Sequence, residues 1–269
     1  WLKDEDGAVR TTLVEALARN GQTEEAMALL DTGREELPAV LTMRRAELMA
    51  EAGDLTGAAK LAEAAANANP ARGLLVRFAD IARRSGDSAA AGRAYERLEA
   101  ALGADEGDKA LRGTLLIARA DLLLQAGKWD EAQALMERAV ALRPGDASIL
   151  NFAGYSALER RKDIEQSLAR IEAAWRREPQ NASISDSLGW AYFLTGRTDD
   201  AVNLLEKAQR GEPDNPVIVE HLGDAYWKAG QKFRARYNWR AAALLADAEM
   251  ATRLTAKLRD GLTPATTAP

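Results

Sequence analysis

Apolar residues return every three or four positions along the chain, in stretches that end at Gly or Pro. Alternating apolar and polar runs long enough for strands are absent, so the pattern predicts helices throughout. Gly21, Gly53, Gly86, Gly127, Gly196 and Gly230 each sit where one helical stretch ends and another begins, the place for a left-handed cap that reverses the chain. Pro38, Pro70, Pro144 and Pro179 then stop the second helix of a pair. Near the C-terminus, Met250, Leu254 and Leu258 stand at i, i+4 and i+8 with charged residues opposite, which predicts an amphipathic helix within 247–261.

The hydrophobic pattern also repeats at longer range. Leu188, Gly189, Ala191, Tyr192 and Gly196 recur 34 residues later as Leu222, Gly223, Ala225, Tyr226 and Gly230. Ala201, Leu205 and Ala208 are followed at the same spacing by Ala235, Trp239 and Ala242. This order of Leu-Gly, Tyr, a turn Gly, Ala, a large residue and Ala resembles the tetratricopeptide repeat. The register gives candidate units at 7–38, 39–71, 72–105, 113–146, 147–181, 182–215 and 216–249. The four C-terminal units follow the pattern more fully, and Val14, Ala46 and Ala79 replace the first Gly in the other three. Unit 147–181 has one residue extra before its second helix, and 99–112 predicts either a longer connection or an extended first helix.

The resemblance implies an all-α, right-handed superhelical solenoid of about seven hairpins over 1–246. A capping helix at 247–261 and a flexible tail at 262–269 complete the expected organisation. The charged start Trp1–Asp6 reads as a boundary from which a targeting segment has been removed. The C-terminal units are also similar to the C-terminal part of long bacterial tetratricopeptide proteins. That likeness implies a periplasmic or outer-membrane-associated place if the chain is exported, and a cytoplasmic one otherwise.

Composition narrows the chemistry. Among 269 residues, 36 Lys and Arg face 41 Asp and Glu, a net charge of −5, which argues against nucleic acid and against an anionic membrane as partners. No apolar run is long enough to insert into a bilayer. With one His and no Cys there is no disulfide, no thiolate nucleophile and no multi-histidine metal centre. Phosphate-binding, dinucleotide-binding, zinc-protease and serine-hydrolase motifs are all missing, so no cofactor and no enzymatic activity are expected. His221 has no nucleophile or orienting partner that the sequence can nominate.

In the family that the chain resembles, the first helix of each unit lines a concave surface. Position 9 of the units reads Glu15, Glu47, Asp80, Asp121, Tyr155, Trp190 and Asp224. Position 12 ends in Phe193 and Trp227, and Asn151, Asp186 and Glu220 flank the series. The resemblance therefore implies a groove, acidic toward the N-terminus and aromatic toward the C-terminus, for a protein or peptide segment carrying basic and apolar anchors. The alternative is that Trp190, Phe193 and Trp227 pack between helices while the carboxylates are merely solvated.

Some family members clamp a partner's terminal carboxylate with Lys, Asn and Arg. Asp186, Trp190, His221 and Asp224 occupy the corresponding places here and do not fit that role. Basic residues gather instead on the last second helix, at Lys232, Arg234, Arg236 and Arg240, as a solvated outer face or a docking patch. Three functional readings follow: a non-catalytic scaffold binding protein through the concave groove, an accessory module of an enzyme or envelope-assembly complex, and a structural module that self-associates through its open N-terminal end.

Overall fold

A computed structural model describes residues 8–31 and 37–268. The charged start, residues 32–36 of the first unit and Pro269 lie outside them. Fifteen helices and no strand occur among the described residues. In chain order they are α1 (Ala8–Arg19), α2 (Thr23–Asp31), α3 (Ala39–Glu51), α4 (Leu55–Ala68), α5 (Arg72–Arg84), α6 (Ser88–Ala100), α7 (Glu106–Gln125) and α8 (Trp129–Leu142). These are followed by α9 (Ala147–Glu159), α10 (Ile164–Arg177), α11 (Ala182–Leu194), α12 (Thr198–Gly211), α13 (Pro216–Lys228), α14 (Lys232–Ala243) and α15 (Ala248–Asp260).

Two compact units divide the chain, 1–135 and 136–269, with the boundary inside α8. In the first, α1 packs on α2, α3 on α4 and α5 on α6. Each hairpin stacks on the next through α2 with α3, α4 with α5 and α6 with α7. Its main core is Ala-rich, with Ala46, Ala58, Ala62, Ala66 and Ala94 around Phe78 and Leu75. Small side chains let helix backbones approach closely, and the helices lose little conformational freedom by carrying them.

In the second unit the same arrangement joins α9 with α10, α11 with α12 and α13 with α14, and α15 then packs on α14. Here the core is aromatic, with Trp190, Phe193, Tyr226 and Trp239. Gly189 and Gly223 stand where an added Cβ would lie 2.7 Å from Leu205 Cγ and 2.5 Å from the Trp239 ring. The two helices of each hairpin therefore touch at a glycine.

Turns follow the sequence punctuation. The six turn glycines all adopt positive φ, between 72° and 96°. In the fifth hairpin no glycine is available, and Arg161 and Asp163 take left-handed conformations with φ of 53° and 43°. The extra residue recognised in that unit is thus absorbed by a second left-handed position, at the strain cost such residues carry. Side-chain caps open many of the helices: Asp87 accepts from the N–H of Ala89 and Ala90, Asn181 from Ile184 and Asp247 from Met250.

Of the two readings of 99–112, the extended helix is the one realised. α7 has 20 residues and begins at a cap formed by Asp105. Buried Asp108 ties its first turn down, accepting from the Gly103 N–H and pairing with Arg72 at 2.6 Å.

The segment 262–268, expected to be a flexible tail, is folded back instead. Gly261 packs directly on the Trp227 indole, Thr263 and Thr266 close a hydrogen-bonded turn, and the Ala268 N–H donates to Asp224 at 3.1 Å. Composition pointed to a tail because Thr, Ala and Pro offer little to bury, whereas a buried carboxylate that accepts a backbone N–H holds the segment.

Candidate functional site

The residues singled out from the sequence fall into two groups, and burial separates them. Asp186, Trp190 and Phe193 on α11, and Glu220 and Asp224 on α13, are all buried. Asp80 on α5 is exposed, while Asp121 on α7, Asn151 and Tyr155 on α9 and Trp227 on α13 are half-buried.

The buried group is held by the chain itself. Lys257 of α15 is 0% exposed, and its ammonium donates to Glu220 Oε1 and to both Asp224 oxygens, each at 2.7 Å. Arg253, one turn earlier, forks onto Glu220 at 2.9 and 2.8 Å. Asp224 also accepts from Trp239 Nε1 at 2.9 Å, so this carboxylate is saturated with donors. The Arg253 and Lys257 cations hold Glu220 below the usual carboxylate range although burial alone would raise it. The expectation of merely solvated carboxylates therefore does not hold at Glu220 and Asp224, which bury opposite charges from a helix placed where the next unit would begin. Met250 and Leu254 of that helix are buried beside them.

Asp186 receives His221 Nδ1 at 2.9 Å, and the imidazole lies flat on Trp190 at 4.2 Å between ring centres. Trp190 in turn stacks on Phe193 at 4.6 Å, giving a buried three-ring ladder from α11 to α13. His221, which the sequence left without a partner, thus has a carboxylate and an aromatic face. Burial on its own would push its imidazole down, but the Asp186 carboxylate, with Asp224 and Glu220 behind it, outweighs burial and holds it above its ordinary 6.5.

A pH dependence follows. The protonated imidazole contributes stability that is fully present below about pH 6.5 and is lost as pH rises through its higher folded value. Glu159, whose carboxyl burial pushes up from 4.5, acts in the same direction. Thermal melts from pH 6 to 9 should therefore show falling stability in the parent chain and a flatter profile in His221→Gln, with Glu159→Gln as the control. An unchanged slope in His221→Gln would place the titration elsewhere.

Acidic first-helix positions also hold cations in the first unit. Glu15 pairs with Arg44 at 3.1 Å, and Glu47 takes a two-pronged contact from Arg77 on the following first helix. Among the described residues Asp80 pairs with cations of its own helix, Arg83 at 3.0 Å and Arg84 at 3.7 Å, and Asp121 accepts from Gln125 at 2.8 Å. A cavity of about 340 Å³ opens beside Asp121 and is lined by Arg83, Tyr95, Ala118, Leu122 and Gln125 among others.

In the second unit, Asn151 Oδ1 is buried without a hydrogen-bond partner among the described residues. Burial first, and the negative charges of Glu159 and Asp186 next, raise the Tyr155 phenol. Trp227 is flanked by Gly261, by the Lys232 ammonium 3.8 Å from its ring centre and by the Arg236 guanidinium at 4.9 Å.

No group of three or more His, Asp or Glu side chains able to hold a metal occurs among the described residues, and no helix of the described chain is long and apolar enough to cross a membrane.

Comparison with known proteins agrees with this architecture. Two profiles described as tetratricopeptide repeat match residues 113–156 and 156–216, and one described as PPR repeat matches 9–35. No curated protein sequence matches the chain. Among solved structures, a tetratricopeptide repeat protein from Parabacteroides merdae is similar at a TM-score of 0.64 and 14% identity, covering 94% of this chain and 97% of that one. The APC/C hetero-tetramer Cut9-Hcn1 gives 0.63 at 17% identity, with 93% of this chain and 48% of that chain covered. TTC0263, a thermophilic protein of the same repeat class from Thermus thermophilus, gives 0.56 at 24% identity over 70% of this chain and 100% of that one. Likeness at these identities concerns the fold, and the repeat profiles show tetratricopeptide repeats within residues 113–216 of the chain.

Proposed function

We propose that the protein is a non-catalytic scaffold that binds a protein or peptide segment, carrying Lys or Arg together with apolar anchors, on the first-helix faces of its repeats. The observation that carries this reading is the way α15 sits on α13. A helix with cations at i and i+4 and apolar side chains beside them pairs with both Glu220 and Asp224. The chain thereby displays in cis the chemistry that its acidic first-helix positions accept. In the first unit, Asp80 and Asp121 keep that chemistry accessible, with an adjoining cavity large enough for a side chain. Repeats of this class are interaction scaffolds in general, which fits the same reading.

Charge reversal tests it. The Asp80→Lys/Asp121→Lys chain should keep its helical content and melting temperature, since neither carboxylate is buried. It should lose, by tenfold or more, a protein partner that co-purifies stoichiometrically with the parent chain, because like charges now meet. Equal recovery of that partner by the variant would contradict the proposal.

A further inference from the structure

A second surface lies on the other helix of the last hairpin. α14 buries Ala235, Asn238, Trp239 and Ala242, and these positions define its inner side. On its outer side Phe233 is 84% exposed and Tyr237 66%, and Leu244, just past the helix end, is 86% exposed. At roughly 100° per residue, these three fall within about 40° of one another around the helix. Lys232, Arg236 and Arg240 form the neighbouring strip, also at four-residue spacing. α14 contains no acidic residue, whereas the second helices α2, α4, α6, α8, α10 and α12 each carry at least one Asp or Glu.

Among the described residues only Arg234 of α14 meets a carboxylate, Glu206 at 3.3 Å. Lys232 and Arg236 rest over the Trp227 ring, which fixes their stems and leaves their charge without a counter-ion. Beside the exposed aromatics lies a cavity of about 350 Å³ lined by Gln209, Tyr226, Phe233, Arg234, Tyr237 and Asn238. A hydrogen bond of 2.9 Å from Gln209 to Asn238 joins two of the lining residues.

Exposed aromatics at this density mark interaction sites, and uncompensated cations on a chain of net charge −5 select an anionic occupant. We propose that the outer face of α14 docks an acidic protein segment, whose carboxylates meet Arg236, Arg240 and Lys232 while one aromatic or branched apolar side chain enters the cavity between Phe233, Tyr237 and Tyr226. A nucleic acid or a lipid surface is disfavoured, because both draw their affinity from many cations on a basic surface and this strip offers three. The site is centred on α14 and borders first helix α13 at Tyr226 and Trp227, and it is independent of the reading given to Asp80 and Asp121.

Random twelve-residue peptides displayed on phage and selected on the folded full chain test this directly, since Phe233, Tyr237 and Arg240 are exposed and Arg236 is half-buried. Enriched sequences should be rich in Asp and Glu around a single Phe, Trp, Tyr or Leu. Synthetic copies should bind the Arg236→Glu/Arg240→Glu and Phe233→Ser/Tyr237→Ser chains at least tenfold more weakly, with melting temperatures unchanged. Their affinity should also fall with added salt. Enriched peptides without acidic residues, or equal binding to both variants, would overturn the proposal. So would tight binding of phosphatidylserine vesicles or a single-stranded oligonucleotide, lost in the same variants, where no acidic peptide binds.

Discussion

Replacing Lys257 with Met is expected to destabilise the C-terminal unit by about 3–5 kcal/mol, the cost of leaving opposed charges buried without their partner. The ammonium has no solvent exposure and is the link shared by Glu220 and Asp224, so its loss leaves two carboxylates facing each other with only Arg253, Trp239 and Ala268 to satisfy them. Methionine fills a similar volume, which makes the measured loss electrostatic rather than a cavity effect. Urea or thermal unfolding followed by circular dichroism gives the number. Adding Asp224→Asn in the same chain should recover part of it, because one of the stranded charges is then gone. A loss below about 1 kcal/mol would mean that the ammonium behaves as an exposed ion pair.

Gly223→Leu should be nearly as damaging, at about 3 kcal/mol, the upper part of the range for overpacking a tight core. An added Cβ there meets the Trp239 ring at 2.5 Å and the Ala235 carbonyl at 3.3 Å. The indole cannot step aside, because its Nε1 donates to Asp224. Gly189 faces the Leu205 side chain, which can rotate, so Gly189→Ala should cost less than Gly223→Ala. Gly92, inside α6, has nothing within 4 Å of an added Cβ, and Gly92→Ala should instead stabilise by about 0.5–1 kcal/mol. Melting temperatures of these variants check the order, and equal losses at Gly92 and Gly223 would mean that the hairpin contact is misplaced.

Repetition made most of the fold readable. A period of 34 residues with glycines and alanines at fixed offsets constrains both helices of a unit and the turn between them, because close helix contacts admit only small residues there. The site was less readable, for a reason visible at Lys257. A lysine suggests a solvated face, yet at roughly 100° per residue it lies about 20° from Met250, inside the apolar stripe of α15. That angle was the available signal, and it required weighing position above residue type. Likewise His221 and Asp186 are 35 residues apart, a pairing that appears only when successive first helices are laid side by side. Position-9 carboxylates look alike in the sequence. What distinguishes Asp224 from Asp121 is the presence of a cationic helix on one and an open cavity beside the other. The tail at 262–268 could not be read from composition, since its anchor is a backbone N–H that every such segment carries.

The most direct test of the scaffold reading is hydrogen exchange on the full chain with and without its co-purified protein partner. First-helix recognition in the N-terminal unit predicts new protection over α5 and α7, on either side of Asp80 and Asp121, and little change in α11 and α13, whose acidic faces the chain already fills. Protection confined to α11 and α13, with α5 and α7 unchanged, would contradict it.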